Sequence, residues 1–312
     1  MKKAVLCCLA LLLLSSAPGG CGGEGVPPEP SPPSPLPPTP APNSVRFFTF
    51  GDWGTGDANQ IAVANEAQAV CQFLGCDFGL FLGDNFYTTG VSSVDDPQWQ
   101  TKYQDVYGIL PALRIPLYAV LGNHDWDVPA NPQAEVDFDL LDRDEFWRMP
   151  AFNYPFASPA GAPPLLEVFV INSNLFDAAA QVSLRDALDA STASWKIVAF
   201  HHPIFDNGTA HPDDEKGIYP ALKPLICGRV DLLLSGHEHI FSHLRDPNDG
   251  CGYDQLIVGT GGRVLHSMTA DPRVLYTEAT FGVGYFEATA DDVTFRFFRA
   301  TGEQAYSFTR TH

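Results

Sequence analysis

Phe81-Leu82-Gly83-Asp84-Asn85-Phe86-Tyr87 is the stretch on which both the fold and the chemistry turn. The apolar run from Phe78 to Leu82 reads as a short buried strand. Glycine ends it, a carboxylate and an amide follow at once, and a tyrosine stands three positions after the carboxylate. Asp84 is therefore a candidate bridge between two metal ions, provided that the rest of the chain supplies their other ligands.

Working outward, the same order of strand and then polar residues recurs. Val45 to Phe50 reads as a strand and runs into Gly51-Asp52-Trp53-Gly54. Leu117 to Leu121 ends in Gly122-Asn123-His124-Asp125, and Trp195 to Phe200 ends in His201-His202-Pro203. Val230 to Leu234 ends in Ser235-Gly236-His237-Glu238-His239, and Gln255 to Val258 in Gly259-Thr260-Gly261-Gly262. Between them, Ala58 to Leu74 has helical spacing, Gln98 to Gly108 suits a helix, Asp177 caps one running to about Ala190, and Gly217 to Ile226 is a helix interrupted by Pro220 and Pro224. Leu165 to Ile171 is a further strand, and the alternation from Phe281 onward, as in Val293-Thr294-Phe295-Arg296-Phe297, predicts a closing antiparallel meander. Residues 126 to 164 form an acidic, aromatic insertion of loops with a short helix near Asp142 to Arg148. This order predicts an α/β layered domain with two stacked sheets. Ligands collect outside the carboxyl ends of strands in such sheets, so the polar blocks can share one edge.

Asp52 or Asp84 alone reads as an ordinary turn. Asn123-His124-Asp125 combines an amide, an imidazole and a carboxylate, and His237-x-His239 projects two imidazoles within a short reach. The chain has nine histidines, and five of them (124, 201, 202, 237, 239) fall in these blocks, which argues against chance. Carboxylate, amide, imidazole and phenol donors suit two ions sharing a carboxylate, ~3.5–4 Å apart, as a clamp for displacement at phosphorus.

The five blocks resemble those of calcineurin-like metallophosphoesterases. Tyr87 narrows the resemblance to purple acid phosphatases, and the order and compactness are similar to the small tartrate-resistant type. Phe146-Trp147-Arg148-Met149-Pro150 with Asn153-Tyr154 is loosely similar to a further segment of that subgroup. The resemblance implies a four-layer α/β/β/α sandwich of two mixed sheets flanked by helices. It implies that Asp52, Asp84, Tyr87 and His239 hold Fe(III), and that Asp84, Asn123, His201 and His237 hold a divalent iron, zinc or manganese. It further implies that His124 contacts the substrate phosphate and protonates the leaving oxygen, that Asp125 orients His124, and that His211 is a substrate-side histidine. His202 is read as a neighbour of the ligands, and His243 and His266 as structural or exposed. The implied reaction is acid hydrolysis of phosphomonoesters by metal-activated hydroxide in line with the leaving group. The same residues also suit a phosphodiester or nucleotide substrate, and a third reading is a non-catalytic surface protein that binds phosphate.

Eighteen Lys and Arg stand against 37 Asp and Glu, a net charge of −19. That balance opposes nucleic-acid backbones and anionic membranes as partners. It leaves phosphorylated small molecules or phosphoproteins as partners only if bound metal reverses the local field. Residues 1–21 read as an export signal, with Lys2 and Lys3 before an apolar core from Val5 to Leu14. Gly19-Gly20-Cys21 resembles a lipoprotein processing site, although Pro18 stands where leucine is usual. A lipid on Cys21 would be the one link to a membrane, and plain secretion is the alternative. Residues 22–43 form a proline-dense tether suited to extended polyproline II, and 44–312 form the catalytic domain. Cys71, Cys76, Cys227 and Cys251 allow three disulfide pairings, of which Cys71–Cys76 and Cys227–Cys251 are the short-range ones.

Overall fold

Val45–Phe50 forms the first strand, β1, with five of its six residues buried. Such near-continuous burial fits a central strand covered on both faces. The structure, a computed structural model, describes residues 43–161 and 163–312. The expected export signal, and the tether before Asn43, lie outside the described residues.

β1 belongs to a sheet with Phe78–Phe81 (β2), Leu117–Ala119 (β3), Trp147–Arg148 (β4), Gly282–Ala288 (β12), Asp292–Arg299 (β13) and Gln304–Thr311 (β14), in the order β14-β13-β12-β1-β2-β3-β4. A second sheet holds Tyr154–Ser158 (β5), Leu166–Val170 (β6), Trp195–Ala199 (β7), Leu232–Ser235 (β8), Phe241–Leu244 (β9), Asp254–Val258 (β10) and Val274–Glu278 (β11), in the order β11-β9-β10-β8-β7-β6-β5. Parallel pairing runs through β1, β2, β3 and β4 in one sheet and through β6, β7, β8 and β10 in the other. The remaining strands pair antiparallel, so both sheets are mixed.

Phe47, Phe81, Ile197, Leu234, Phe241, Val258 and Phe295 are fully buried in one cluster between the sheets. Phe241 stacks on Phe297 across that interface, ring centroids 4.2 Å apart. Burying each such side chain contributes on the order of 1.5–3 kcal/mol. Helix α1 (Ala58–Leu74) covers the outer face of the first sheet, with Val70 and Leu74 against Tyr285. Its first turn is capped by Asp57, which accepts from the amides of Asn59 and Gln60. Short helices α2 (Asn123–Trp126) and α3 (Gln133–Leu140) follow β3. Helices α4 (Ala178–Ala190) and α5 (Tyr219–Ile226) cover the second sheet through Leu184, Leu188, Leu222 and Ile226. The result is the expected α/β/β/α sandwich. Among the described residues no helix is long and apolar enough to cross a membrane.

Register decides where the polar blocks emerge. Phe50 pairs with Phe81 and Phe81 with Ala119, so the segments after β1, β2 and β3 leave one rim together. Ala199 pairs with Leu234, and Ser235 with Ile257, on the same principle in the other sheet. The two rims are joined directly: the Gly51 amide donates to the Val258 carbonyl at 2.7 Å.

The insertion departs from its sequence reading. Its helix is α3, earlier than the expected 142–148, and Trp147 instead pairs with Leu117 as the sheet edge. The Asp144 carboxylate accepts from the amides of Phe146 and Trp147, which holds the chain out of a helix there. Both short-range disulfides, Cys71–Cys76 and Cys227–Cys251, are present.

Asp254 supplies a buried tie between the sheets. It accepts from His243 at 2.8 Å, from Arg245 through two bonds of 2.7 Å, and from Arg310 of β14 at 2.9 Å. Burial alone would raise its carboxyl, but His243 and Arg245 outweigh burial and hold it at about 2. The unfolded chain therefore binds the proton more tightly, and the contribution of Asp254 is complete above pH ~4 and lost as pH falls toward ~2. Asp254→Asn should cost about 3–5 kcal/mol at neutral pH. In denaturant titrations across pH, the gap between wild type and variant should narrow below pH ~4 and reach its minimum toward pH ~2.

Candidate metal centre

Asp52, Asp84 and His237 each follow a strand end with a positive φ, +61°, +52° and +70°. For non-glycine residues such backbone is strained, and strain of this kind persists where surrounding structure enforces it. Here it turns three polar side chains inward at the joined rims. Gly122 precedes Asn123 because nothing larger fits: a Cβ there would fall 2.1 Å from Oδ1 of Asp84.

The histidine tautomers follow from their fixed partners. Nδ1 of His201 faces the Leu82 carbonyl at 2.7 Å and donates to it, so Nε2 presents a lone pair. That Nε2 lies 3.2 Å from Oδ1 of Asn123, 3.3 Å from Oδ1 of Asp84 and 3.3 Å from Nδ1 of His237. His237 donates from Nε2 to the Glu215 carboxylate at 2.9 Å, so its Nδ1 is also a lone pair. Four acceptor atoms thus face one another with no proton to share. On the other side, His239 donates from Nδ1 to the Val264 carbonyl and points Nε2 toward Oδ1 of Asp52, 3.4 Å away. The Tyr87 hydroxyl is 3.0 Å from Oδ1 of Asp52, 2.6 Å from Oδ2 of Asp84 and 3.3 Å from Nε2 of His239. Asp84 faces both groups.

These separations fit metal ions. Donors ~2.0–2.2 Å from a shared ion lie roughly 3–3.5 Å apart at tetrahedral or octahedral angles. Imidazole, amide, carboxylate and phenol donors suit iron, zinc or manganese. The electrostatics agree. Burial, then the charges of Asp52 and Asp84, push the Tyr87 phenol well above its ordinary range, so an ionised phenol requires a cation beside it. Burial followed by His201 and its other imidazole neighbours strongly disfavours protonated His237. Burial would raise Asp52, but the neighbouring His239 outweighs it and holds the carboxyl below its ordinary value.

His124 lies at the mouth with its side chain 34% exposed. Its ring is 4.6 Å from that of Tyr87, and its Nδ1 donates to the Thr88 carbonyl at 2.7 Å. Asp125 does not orient this imidazole. Its carboxylate accepts instead from the amides of Asn85, Phe86 and Gly122, so it clamps the two ligand loops together by their backbones. Burial, then Asp84, raises this carboxyl to about 7. The buried Glu135 accepts from Asn85 beside it. His211 packs its ring 3.7 Å from that of His237 and donates from Nδ1 to Glu215 at 2.7 Å. His202 is buried against Ser173 and packs on His237 rather than facing Asp84.

Two neighbours escaped the sequence reading, and a third, His266, was expected to be structural or exposed. Glu215 holds both His211 and His237, Arg263 sits over the Tyr87 ring at 4.9 Å, and His266 stacks on His239 at 3.9 Å. Arg263 and His266 follow the Gly259-Thr260-Gly261-Gly262 strand end, which was the available signal. Glu215 lies in a loop with no such mark.

Residues 45–241 match the family model described as calcineurin-like phosphoesterase. The chain is 29% identical to purple acid phosphatase 17 of Arabidopsis thaliana, over 83% of this chain and 82% of that protein. It is 28% identical to human (Homo sapiens) tartrate-resistant acid phosphatase type 5, over 84% of this chain and 90% of that protein. Its fold is similar to a solved structure titled as GAP50, the anchor in the inner membrane complex of Plasmodium, with TM-score 0.75 and 22% identity over 86% of this chain and 89% of that one.

Zinc or iron should raise the melting temperature of metal-stripped protein, since an ion at 100-fold its Kd stabilises by ~2.7 kcal/mol. A chelator should reverse the shift, and Asp84→Asn should abolish it. Glu215→Gln removes the carboxylate behind His237 and should weaken metal binding ~10–100-fold in a titration.

Proposed function

This chain belongs to the calcineurin-like phosphoesterase family, and from that premise we propose that it is an acid phosphatase hydrolysing phosphomonoesters at a two-metal centre. The facing lone pairs of His201, His237 and Asn123 beside Asp84, adjoining the Asp52–Tyr87–His239 group, carry this reading. Asp52, Asp84, Tyr87 and His239 would hold a ferric ion. Asp84, Asn123, His201 and His237 would hold divalent iron, zinc or manganese. When bound, the pair supplies positive charge for the phosphoryl group and a water acidic enough to serve as nucleophile at mildly acid pH.

The chain's own residues then bind and direct the substrate. His124, fixed through Nδ1 by Thr88, presents Nε2 to the mouth. In its protonated form it donates that proton to the leaving oxygen. His211, fixed through Nδ1 by Glu215, presents Nε2 on the His237 side and contacts a phosphoryl oxygen. Arg263 adds a fixed cation behind Tyr87 in an otherwise acidic chain. Asp125 acts as a positioning residue, holding the backbones that carry Asp84 and Asn123 at their spacing.

The substrates in this reading are phosphorylated small molecules or phosphoproteins. The protein is exported, either secreted or held in the cell envelope by a lipid on Cys21. Two disulfides support an oxidising compartment.

An iron-loaded sample should show a broad visible band from ferric tyrosinate, and Tyr87→Phe should lose it. A colourless iron-loaded wild type would remove the ferric-tyrosinate assignment and leave a phosphoesterase of other metal content. Asp84→Ala should lose bound metal and turnover of a simple aryl phosphate together. Full turnover in that variant would overturn the two-metal scheme.

A further inference from the structure

Three imidazoles pack against rings of the candidate ligand set. His124 lies on Tyr87, His211 on His237, and His266 on His239 at 3.9 Å with the planes inclined by 23°. The first two already have a substrate-side place. We propose that His266 is a third substrate-contacting imidazole, donating from Nε2 to a phosphoryl oxygen, and that Glu238 is its positioning residue. This rests on the phosphomonoester reading above.

His266 is held as a working side chain would be. Its amide donates to the His239 carbonyl at 3.1 Å. Its Nδ1 is turned inward, where it accepts from the His239 amide at 3.2 Å and lies 3.0 Å from Oε1 of Glu238. Nε2 is the nitrogen left to face outward, and no hydrogen bond to it is present among the described residues. The side chain is 21% exposed, close to the 28% of His211. The two rings are 5.8 Å apart, so one small oxyanion can touch both.

Glu238 backs the ring from the inside. It is fully buried, and the loop above closes on it so tightly that a Cβ on Gly208 would fall 1.9 Å from Oε1. Its Oε1 accepts from the Ala210 amide at 3.4 Å and lies 3.0 Å from Nδ1 of His266, which fixes the inner side of that ring. The His239 amide donates to Nδ1, so the ring proton stands on Nε2 and is presented to the mouth. A chain of net charge −19 gains there a fixed N–H donor for an anionic ester. Nitrogen and oxygen atoms of His211, Glu238 and His266 also lie within 4.8 Å of one another, close enough for a cation, so the test must separate oxyanion from metal.

The full-length, metal-loaded protein and its His266→Asn variant are compared by steady-state turnover of an aryl phosphate, calorimetric titration with inorganic phosphate, metal counting and melting temperature. The variant should raise both KM and the phosphate Kd about tenfold, with a smaller change in kcat, while metal per chain stays at the wild-type count. Glu238→Gln, with His266 intact, should show a smaller loss of phosphate affinity. Unchanged phosphate affinity in a folded variant overturns the proposal, and so does a fall in bound metal. Should His266→Asn fail to fold, His266→Gln is read in the same way. If the wild type binds phosphate but hydrolyses no ester, the phosphatase reading fails, while the titration still decides whether His266 contacts the anion.

Discussion

The structure depends on an unfavourable arrangement: lone pairs that face each other at the rim where two sheets meet. Nε2 of His201 and Nδ1 of His237 stand 3.3 Å apart, each with its proton committed to the opposite side of its ring. Such a contact is repulsive unless a cation sits among the acceptors. Everything around it serves to hold it. Leu82 O, Val264 O and Glu215 fix the tautomers, Asp125 clamps the loops, and positive φ angles at three residues aim the side chains. The sheets supply the rigid frame on which this strain can be kept.

Charge explains the ring of imidazoles outside that centre. A protein with 37 acidic and 18 basic residues repels anions over most of its surface. In the phosphatase reading, attraction must therefore be local, from bound ions, from Arg263 above Tyr87 and from imidazole N–H donors at the mouth. His124 and His211 have their inward nitrogens on acceptors, Thr88 O and Glu215, and that of His266 takes the His239 amide, so in the proposed reading each outer nitrogen is free for an anion.

Much of the fold was legible because strand, glycine and polar residue recur together. The limits of α1 and the capping of α4 by Asp177 follow from local rules, and the structure agrees with both. The insertion was misread because its pattern is set by tertiary partners. Trp147 is drawn into the sheet edge beside Leu117, and Asp144 takes the amides that a helix would have used. Asp125 was misread for a related reason. Adjacency to His124 suggested a carboxylate–imidazole pair, whereas the capping geometry of α2 turns the carboxylate onto backbone amides of the neighbouring loop.

The sequence by itself determined the donor types, their order along the chain and their positions at strand ends, because hydrophobic patterning and glycine placement are local properties. It determined the negative charge and the short-range disulfide options in the same way. Only the tertiary structure decided which nitrogen of each histidine faces the centre, since that depends on carbonyls and carboxylates far away in the chain. It also decided that Glu215, Glu238 and His266 lie beside the candidate ligands. The Glu215 loop bears no motif, Glu238 stands unmarked between two candidate ligands, and His266 follows a strand end at a distance, so strand register together with the Gly51–Val258 junction is what brings them to one place.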